Sequence, residues 1–340
     1  MRYRKEHICS VMLIALLLIV AGGLLTACSN DDTQDGNGTS LQIMGFTRSG
    51  DSAPFEGTDA YSPIKLFLID GATQKQGSAR YNGTEWKISG FTDADVEISH
   101  TYSLYGFAPS EAIGSNLTVG AETTTLELTS LPAVNAKDVC FIVGLQRTTP
   151  KESWDSHTGN FSFTAEATNP IYLLMDHVYA SVCFSMAIDE EYAALRGIKI
   201  KKMELRGTQN TTTATITLTP TPTGTDPVQS VTYTSPAGSS SSATFFESTD
   251  GDELTTFTAA KAKEYTCCFL PGLSNGLTLV TTYDVYDRKG NKISERTASN
   301  KLPNLNATRG ERVTIGLTVA PTYLGVLSEK DIDNPTININ

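Results

Sequence analysis

Histidine, cysteine, carboxylate and tryptophan are the side chains with which a chain most readily does chemistry, and here they are sparse. Four histidines occur in 340 residues, and beyond residue 27 they are His100, His157 and His177. No G-x-S-x-G, H-E-x-x-H or P-loop pattern is present, and three scattered histidines give no support to a histidine-based triad. His100 lies in an alternating aromatic run with no second His, Cys or carboxylate at ligand spacing. It reads as a polar residue on a solvent face rather than a metal ligand. Asp331 and Asp333 could approach calcium, but the glycine and distal glutamate of a calcium loop are missing, so an acidic solvated tail is expected. Trp154, beside Asp155 and His157, is either packed under its own loop or a stacking platform for carbohydrate. The residues therefore predict no catalytic group, no metal and no cofactor, and a chain that is not an enzyme.

Of six cysteines, four lie in the body of the chain. Cys140, Cys183, Cys267 and Cys268 are widely spaced or vicinal, with no C-x-x-C pair for metal or redox work. Cys140 (in VCFIVG) and Cys183 (in SVCFSM) sit inside strand-like runs, where a thiol is usually buried; the disulfide state of the four stays open. Cys28 has a different setting. Arg2, Arg4 and Lys5 precede an apolar run over residues 11–25, the three-part grammar of a secretory signal. Read as a transmembrane helix, the run is marginal in length, since about 20 residues are needed to cross a bilayer. Leu25-Thr26-Ala27-Cys28 resembles the bacterial lipobox. That resemblance implies cleavage between Ala27 and Cys28 and acylation of Cys28, with each buried CH₂ contributing about 0.8 kcal/mol to membrane attachment. Ser29-Asn30-Asp31-Asp32 behind it is similar to the surface-export signal of Bacteroidetes lipoproteins. An outer-membrane lipid anchor facing outward is therefore expected, with residues 1–27 as signal peptide and 28–40 as a disordered tether.

The formal net charge is -11 at pH 7. With no Lys/Arg cluster, such a chain is a poor nucleic-acid binder.

The remaining sequence must supply whatever positions these groups. Residues 41–48 (LQIMGFTR) alternate weakly, as a short edge strand does, and 49–61 form a loop rich in Gly, Pro, Ser and Asp. Strands follow at 64–69 and at 79–88, the latter read as a hairpin with Asn82-Gly83 in a type I′ turn. Further strands are expected at 96–108, 123–128, 138–144 and 161–164. A second set begins with 171–186, followed by one helical turn at 189–195 whose acidic start suits the helix dipole. Strands at 198–205 (IKIKKMEL), 211–219, 264–270, 277–287 and 311–319 complete it, with a Ser-rich loop tip at 239–242 and a tight turn at 288–291. Short strands with turn signals between them, and almost no helix, predict an all-β chain of β-sandwiches.

YNGTEWKI followed by YSLYGFAP, the strand ending in Arg48, and a second half opening PIYLLMDHVYASVCFSMAI together resemble the Bacteroidetes fimbrillins across essentially the whole mature chain. The resemblance implies two transthyretin-like β-sandwich domains in tandem, here 41–168 and 169–340. It also implies a pilus subunit exported as a lipoprotein and cut by an arginine-specific protease. Mapped onto this chain, the cut falls between Arg48 and Ser49 and frees a removable strand carrying Leu41, Ile43, Met44 and Phe46. A strand of another fimbrillin subunit, from the C-terminal region, then fills the slot. Two segments could donate it, 323–327 and 336–339. The alternative is a chain that keeps its lipid, as a pilus anchor or a surface glycan-binding lipoprotein using Trp154. Asp51-Ser52-Ala53 matches a short O-glycosylation motif.

Overall fold

Alternation sets the elements and bulges correct it. Ile198 and Ile200 point inward in IKIKKMEL, but the adjacent Lys201-Lys202 pair breaks period two. A register shift between Ile200 and Lys202, opposite both neighbouring strands, absorbs the extra residue. Met203 and Leu205 thereby return to the core at zero exposure. In TTTATITLT no correction is needed at the centre: Ala214, Ile216 and Leu218 are buried and the threonines between them are half-exposed.

The computed structural model describes residues 38–48, 62–147, 160–219, 228–234, 240–257, 262–272, 276–324 and 329–340. Gly38–Asn340 forms one compact unit, nearly all β as predicted, with four sheets. The first sheet runs β1 (Leu41–Arg48), β11 (Asn169–His177), β9 (Cys140–Gln146), β5 (Thr101–Ala108), β2 (Ile64–Asp70), β3 (Thr73–Tyr81) and β4 (Trp86–Ser89), and β10 (Ser162–Thr164) pairs with β5 off that path. Against it packs a sheet of β15 (Val228–Tyr233), β14 (Thr211–Thr219), β7 (Thr124–Pro132) and β6 (Gly114–Val119). Leu66, Phe107 and Phe141 from one layer and Leu126, Leu128 and Ile216 from the other share one buried cluster.

The second sandwich pairs two further sheets. One runs β21 (Glu329–Ile339), β20 (Arg312–Leu324), β12 (Ala180–Ile188), β17 (Lys263–Phe269) and β8 (Val134–Asn135). The other runs β16 (Ser241–Glu253), β13 (Gly197–Gly207), β18 (Thr278–Tyr286) and β19 (Lys292–Lys301). Val182, Phe184 and Ile315 face Ile200, Met203 and Leu279 within the second cluster. Each large apolar side chain so buried is worth about 1.5–3 kcal/mol.

Strand membership does not divide at residue 168. β11 belongs to the first sheet, and the β14–β15 hairpin, drawn from the second half, completes the first sandwich by pairing with β7. In the other direction, the two-residue β8 pairs with β17 of the second sandwich. Period-two patterning tells which face of a strand is apolar, not which layer will cover it. The vicinal cysteines lie at this seam. Neighbouring residues on a strand point to opposite faces, so Cys267 belongs to the second core and Cys268 to the first. All four described cysteines are buried thiols, and burial pushes the Cys267 thiol up to about 12.

Two local expectations change. Gly83 has φ of 99°, but Asn82 does not share a positive φ. Instead the Asn82 Oδ1 accepts from the Thr84 and Glu85 amides at 3.0 and 2.9 Å. That is an Asx-type turn in a loop longer than the two residues of type I′. The run expected as one strand over 96–108 becomes a strand only from Thr101, with an isolated bridge from Glu97 to Gly38 and a 3₁₀ turn at Asp93–Asp95 before it. The expected helical turn, α1 (Glu190–Ala193), is capped by Asp189, whose carboxylate accepts from the Tyr192 amide at 2.9 Å.

Candidate functional site

β1 forms one end of the first sheet, with a single sheet partner among the described residues, β11, to which it runs parallel. Leu41 faces Asn169 and Ile43 faces Ile171; the register then shifts so that Gly45 faces Tyr172 and Arg48 faces Met175. The shift leaves Met44 as the extra residue and exposes it (42 %), while Ile43 stays in the core at 4 % and Leu41 is half-buried. The outer edge of β1 lines a cleft of about 680 Å³, with Leu41, Ile43 and Met44 on one side and Trp86, Ile88 and Phe91 on the other. The predicted removable strand is thus a built part of the sheet at its margin. The side chains of Phe46 and Arg48, and Ser49, Ala27, Cys28, Trp154, His157 and Asp51-Ser52-Ala53 altogether, lie outside the described residues.

The expected disordered tether at 28–40 does not reach its last three residues, since Gly38 bridges to Glu97 and Thr39 is buried, and the residues before β1 are tied down by a buried amide. Asn169, at zero exposure, donates through Nδ2 to the Ser40 carbonyl at 3.2 Å and to Glu166 O at 3.1 Å. Its Oδ1 accepts from the Glu166 amide at 2.9 Å and from Arg147 at 3.2 Å. Thr39 adds a backbone donation to Val96 O at 2.7 Å and a hydroxyl donation to Ala167 O at 2.9 Å. These bonds all fall at the N-terminal end of β1.

At the other terminus β21 is the edge strand of its own sheet, antiparallel to β20. Of the two donor candidates, 336–339 lies in β21, whereas Tyr323 and Leu324 end β20, a strand flanked by β12 and β21. β21 is also gripped from outside its ladder. Tyr192 donates to Ile332 O at 2.8 Å, Tyr283 to Pro335 O at 2.8 Å, and Asn300 to Ile337 O at 2.7 Å. Arg196 pairs with Asp333 at 2.7 Å, so that carboxylate is engaged in an ion pair rather than open for calcium; the side chain of Asp331 lies outside the described residues. Burial raises the Tyr283 hydroxyl to about 12.

The chemistry-bearing groups are distributed otherwise than spacing suggested. His100 is half exposed, the solvent-facing place expected of it, and stands 3.5 Å from Glu97, a contact not expected from the sequence. His177 is drawn into a group with Asp138 and Cys140 at the end of β11. Sequence spacing missed it because Cys140 and His177 are far apart in the chain yet directly opposite in the β9–β11 ladder. Asp138 and Cys140, two apart in an extended run, were the signal that could have found it. Beside the group, Arg309 forms an ion pair with the buried Asp176 and donates to His177 O at 2.8 Å.

No protein-family model and no curated protein matches this sequence. Solved structures do. A candidate cell adhesion protein of Bacteroides fragilis aligns with a TM-score of 0.45 and 14 % identity over 89 % of this chain and 97 % of its own. One of Bacteroides uniformis aligns with a TM-score of 0.41 and 10 % identity over the same shares. A fimbrial protein of Bacteroides vulgatus aligns with a TM-score of 0.38 and 12 % identity over 88 % of this chain and 98 % of its own.

Proposed function

We propose that this chain is a fimbrillin-type subunit of the cell surface that serves adhesion, is exported with lipid on Cys28, and assembles by strand exchange after cleavage at Arg48. The carrying observation is β1. It is a marginal strand with one sheet partner among the described residues, and Arg48 is its last residue. A cut there leaves β1 held by non-covalent contacts alone. Its departure would present the backbone groups of β11 as a template for another strand and uncover the apolar groove that Ile43 fills.

The donor on this reading is 336–339 of a sister subunit rather than 323–327, because an edge strand can leave its sheet without tearing an inner ladder. Catalysis plays no part. Cys140 is fully buried, and both Cys140 Sγ and Asp138 Oδ2 face the same nitrogen of His177, Nδ1. A nucleophile relay needs the two on opposite ring nitrogens.

Purified full-length precursor treated with an arginine-specific protease tests this. Release of Ser49 as a new N-terminus together with higher-order ladders is expected. An uncut monomer that binds polysaccharide would overturn the reading in favour of a lipid-retaining glycan binder.

A further inference from the structure

We propose that Asp138, Cys140 and His177 form a binding site for a thiophilic divalent cation, Zn²⁺ foremost. The backbone fixes the arrangement. Cys140 opens β9 directly opposite His177 at the end of β11, and Asp138 precedes Cys140 by two residues, which keeps both on one face of an extended chain. Cys140 Sγ lies 3.2 Å from Asp138 Oδ2 and 3.8 Å from His177 Nδ1, and Asp138 Oδ2 contacts the same Nδ1. All three donor atoms fall within 4.8 Å of one another.

A tetrahedral Zn²⁺ with bonds of about 2.3 Å to sulfur and about 2.0–2.2 Å to nitrogen and oxygen needs ligand-to-ligand spacings of roughly 3.3–3.6 Å. The two sulfur distances bracket that value. The carboxylate–imidazole contact is closer and opens by a small side-chain rotation when an ion enters.

Two further features point to a cation. Asp138 Oδ1 is buried with no hydrogen-bond partner, a desolvation cost that a positive ion would offset. The neighbouring cation, Arg309, is already matched by Asp176, so an entering ion would share the Asp138 carboxylate only with His177 and the Cys140 thiol, its own co-ligands. The side chains of His177 and Asp138 are 15 % and 14 % exposed, which gives an ion a way in and leaves a fourth position for water. One thiolate, one imidazole and one carboxylate select Zn²⁺ over Mg²⁺ or Ca²⁺, which prefer all-oxygen shells. Occupancy would clip the start of β9 to the end of β11, where the chain crosses through Val178 and Tyr179 into β12 and the second sandwich. Gly310 passes close by; a Cβ there would come within 3.3 Å of the His177 ring.

Titrating the full-length chain with Co²⁺ as a spectroscopic probe, then displacing it with Zn²⁺, tests the site. A thiolate-to-metal charge-transfer band and tetrahedral d–d bands at one equivalent are expected. Cys140→Ser should abolish the former and weaken Zn²⁺ binding by at least about 100-fold, since loss of even an outer-shell partner costs 10–100-fold. Cys183→Ser, a buried thiol elsewhere, should leave both intact. Circular dichroism of metal-stripped Cys140→Ser checks that the near-isosteric change preserves the fold; if it does not, Asp138→Asn, which keeps size and weakens the ligand, takes its place. Co²⁺ spectra without a thiolate band, or affinity unchanged in a folded variant, would overturn the proposal and leave an ion pair beside a buried thiol.

Discussion

β1 and β21 are both edge strands near the ends of the described chain, yet they are held by different means. Among the described side chains, β1 relies on its parallel ladder with β11 and on Ile43, and the hydrogen bonds beyond that ladder fall at Thr39 and Ser40. β21 has an antiparallel ladder and, along its length, three carbonyls gripped by Tyr192, Tyr283 and Asn300. A strand fixed at one end can peel from the other. One fixed at several points must loosen at all of them together. The contrast makes β1 the readier strand to leave, and it gives β21 a threshold to cross before it could serve as a donor.

The largest expected effect comes from the two buried isoleucines. Ile43→Ala and Ile337→Ala should each cost about 2–5 kcal/mol of local packing. In hydrogen exchange the first should deprotect β1 and the β11 edge, and the second β21 and β20. Deprotection of β21 by Ile43→Ala would break the contrast. Next, Asn169→Ala, which orphans the Ser40 and Glu166 carbonyls, should cost about 1–3 kcal/mol and speed exchange of 39–43 while sparing β21.

Tyr283→Phe leaves Pro335 O without its donor and should cost about 1 kcal/mol, read in the exchange of 333–337. The same hydroxyl gives a pH test. Its folded pKa of about 12 lies above the unfolded 10.0, and Cys267 is likewise raised from 9.0 to about 12. Each group then favours the fold fully below its unfolded value, and that contribution is lost as pH climbs from about 9 through 12. Stability measured by denaturant should fall across this alkaline window, less steeply in Tyr283→Phe. The smallest effect is Asp333→Asn. Its ion pair with Arg196 is half exposed on the carboxylate side, so about 0–1 kcal/mol is expected by thermal unfolding.

What the sequence made legible was local. The strand at 64–69 follows from its apolar run, those at 198–205 and 211–219 from alternation, the helical turn after Asp189 from its acidic start and the turn at 288–291 from its glycine. β19 escaped notice because it is half-exposed to exposed throughout and carries no apolar stripe. β16 is harder to read because only Ala243, Phe245 and Phe246 reach the second core, between a Ser-rich start and an acidic end. Sheet membership was illegible too, since Ala214, Ile216 and Leu218 would suit either core. The Asp138, Cys140 and His177 group depends on ladder register, which no single stretch encodes. The marginal place of 41–48 was readable from its brevity; the buried Asn169 that secures its approach was not.

The hairpin of β14 and β15 imposes an order of events. Leu126, Leu128 and Leu131 belong to a layer that needs β14 as its neighbour, and β14 is made long after them. Any machine that delivers this chain from its N-terminus, ribosome or translocation pore, must bring out much of the second half before the first half is roofed. Until then the early strands wait unsealed.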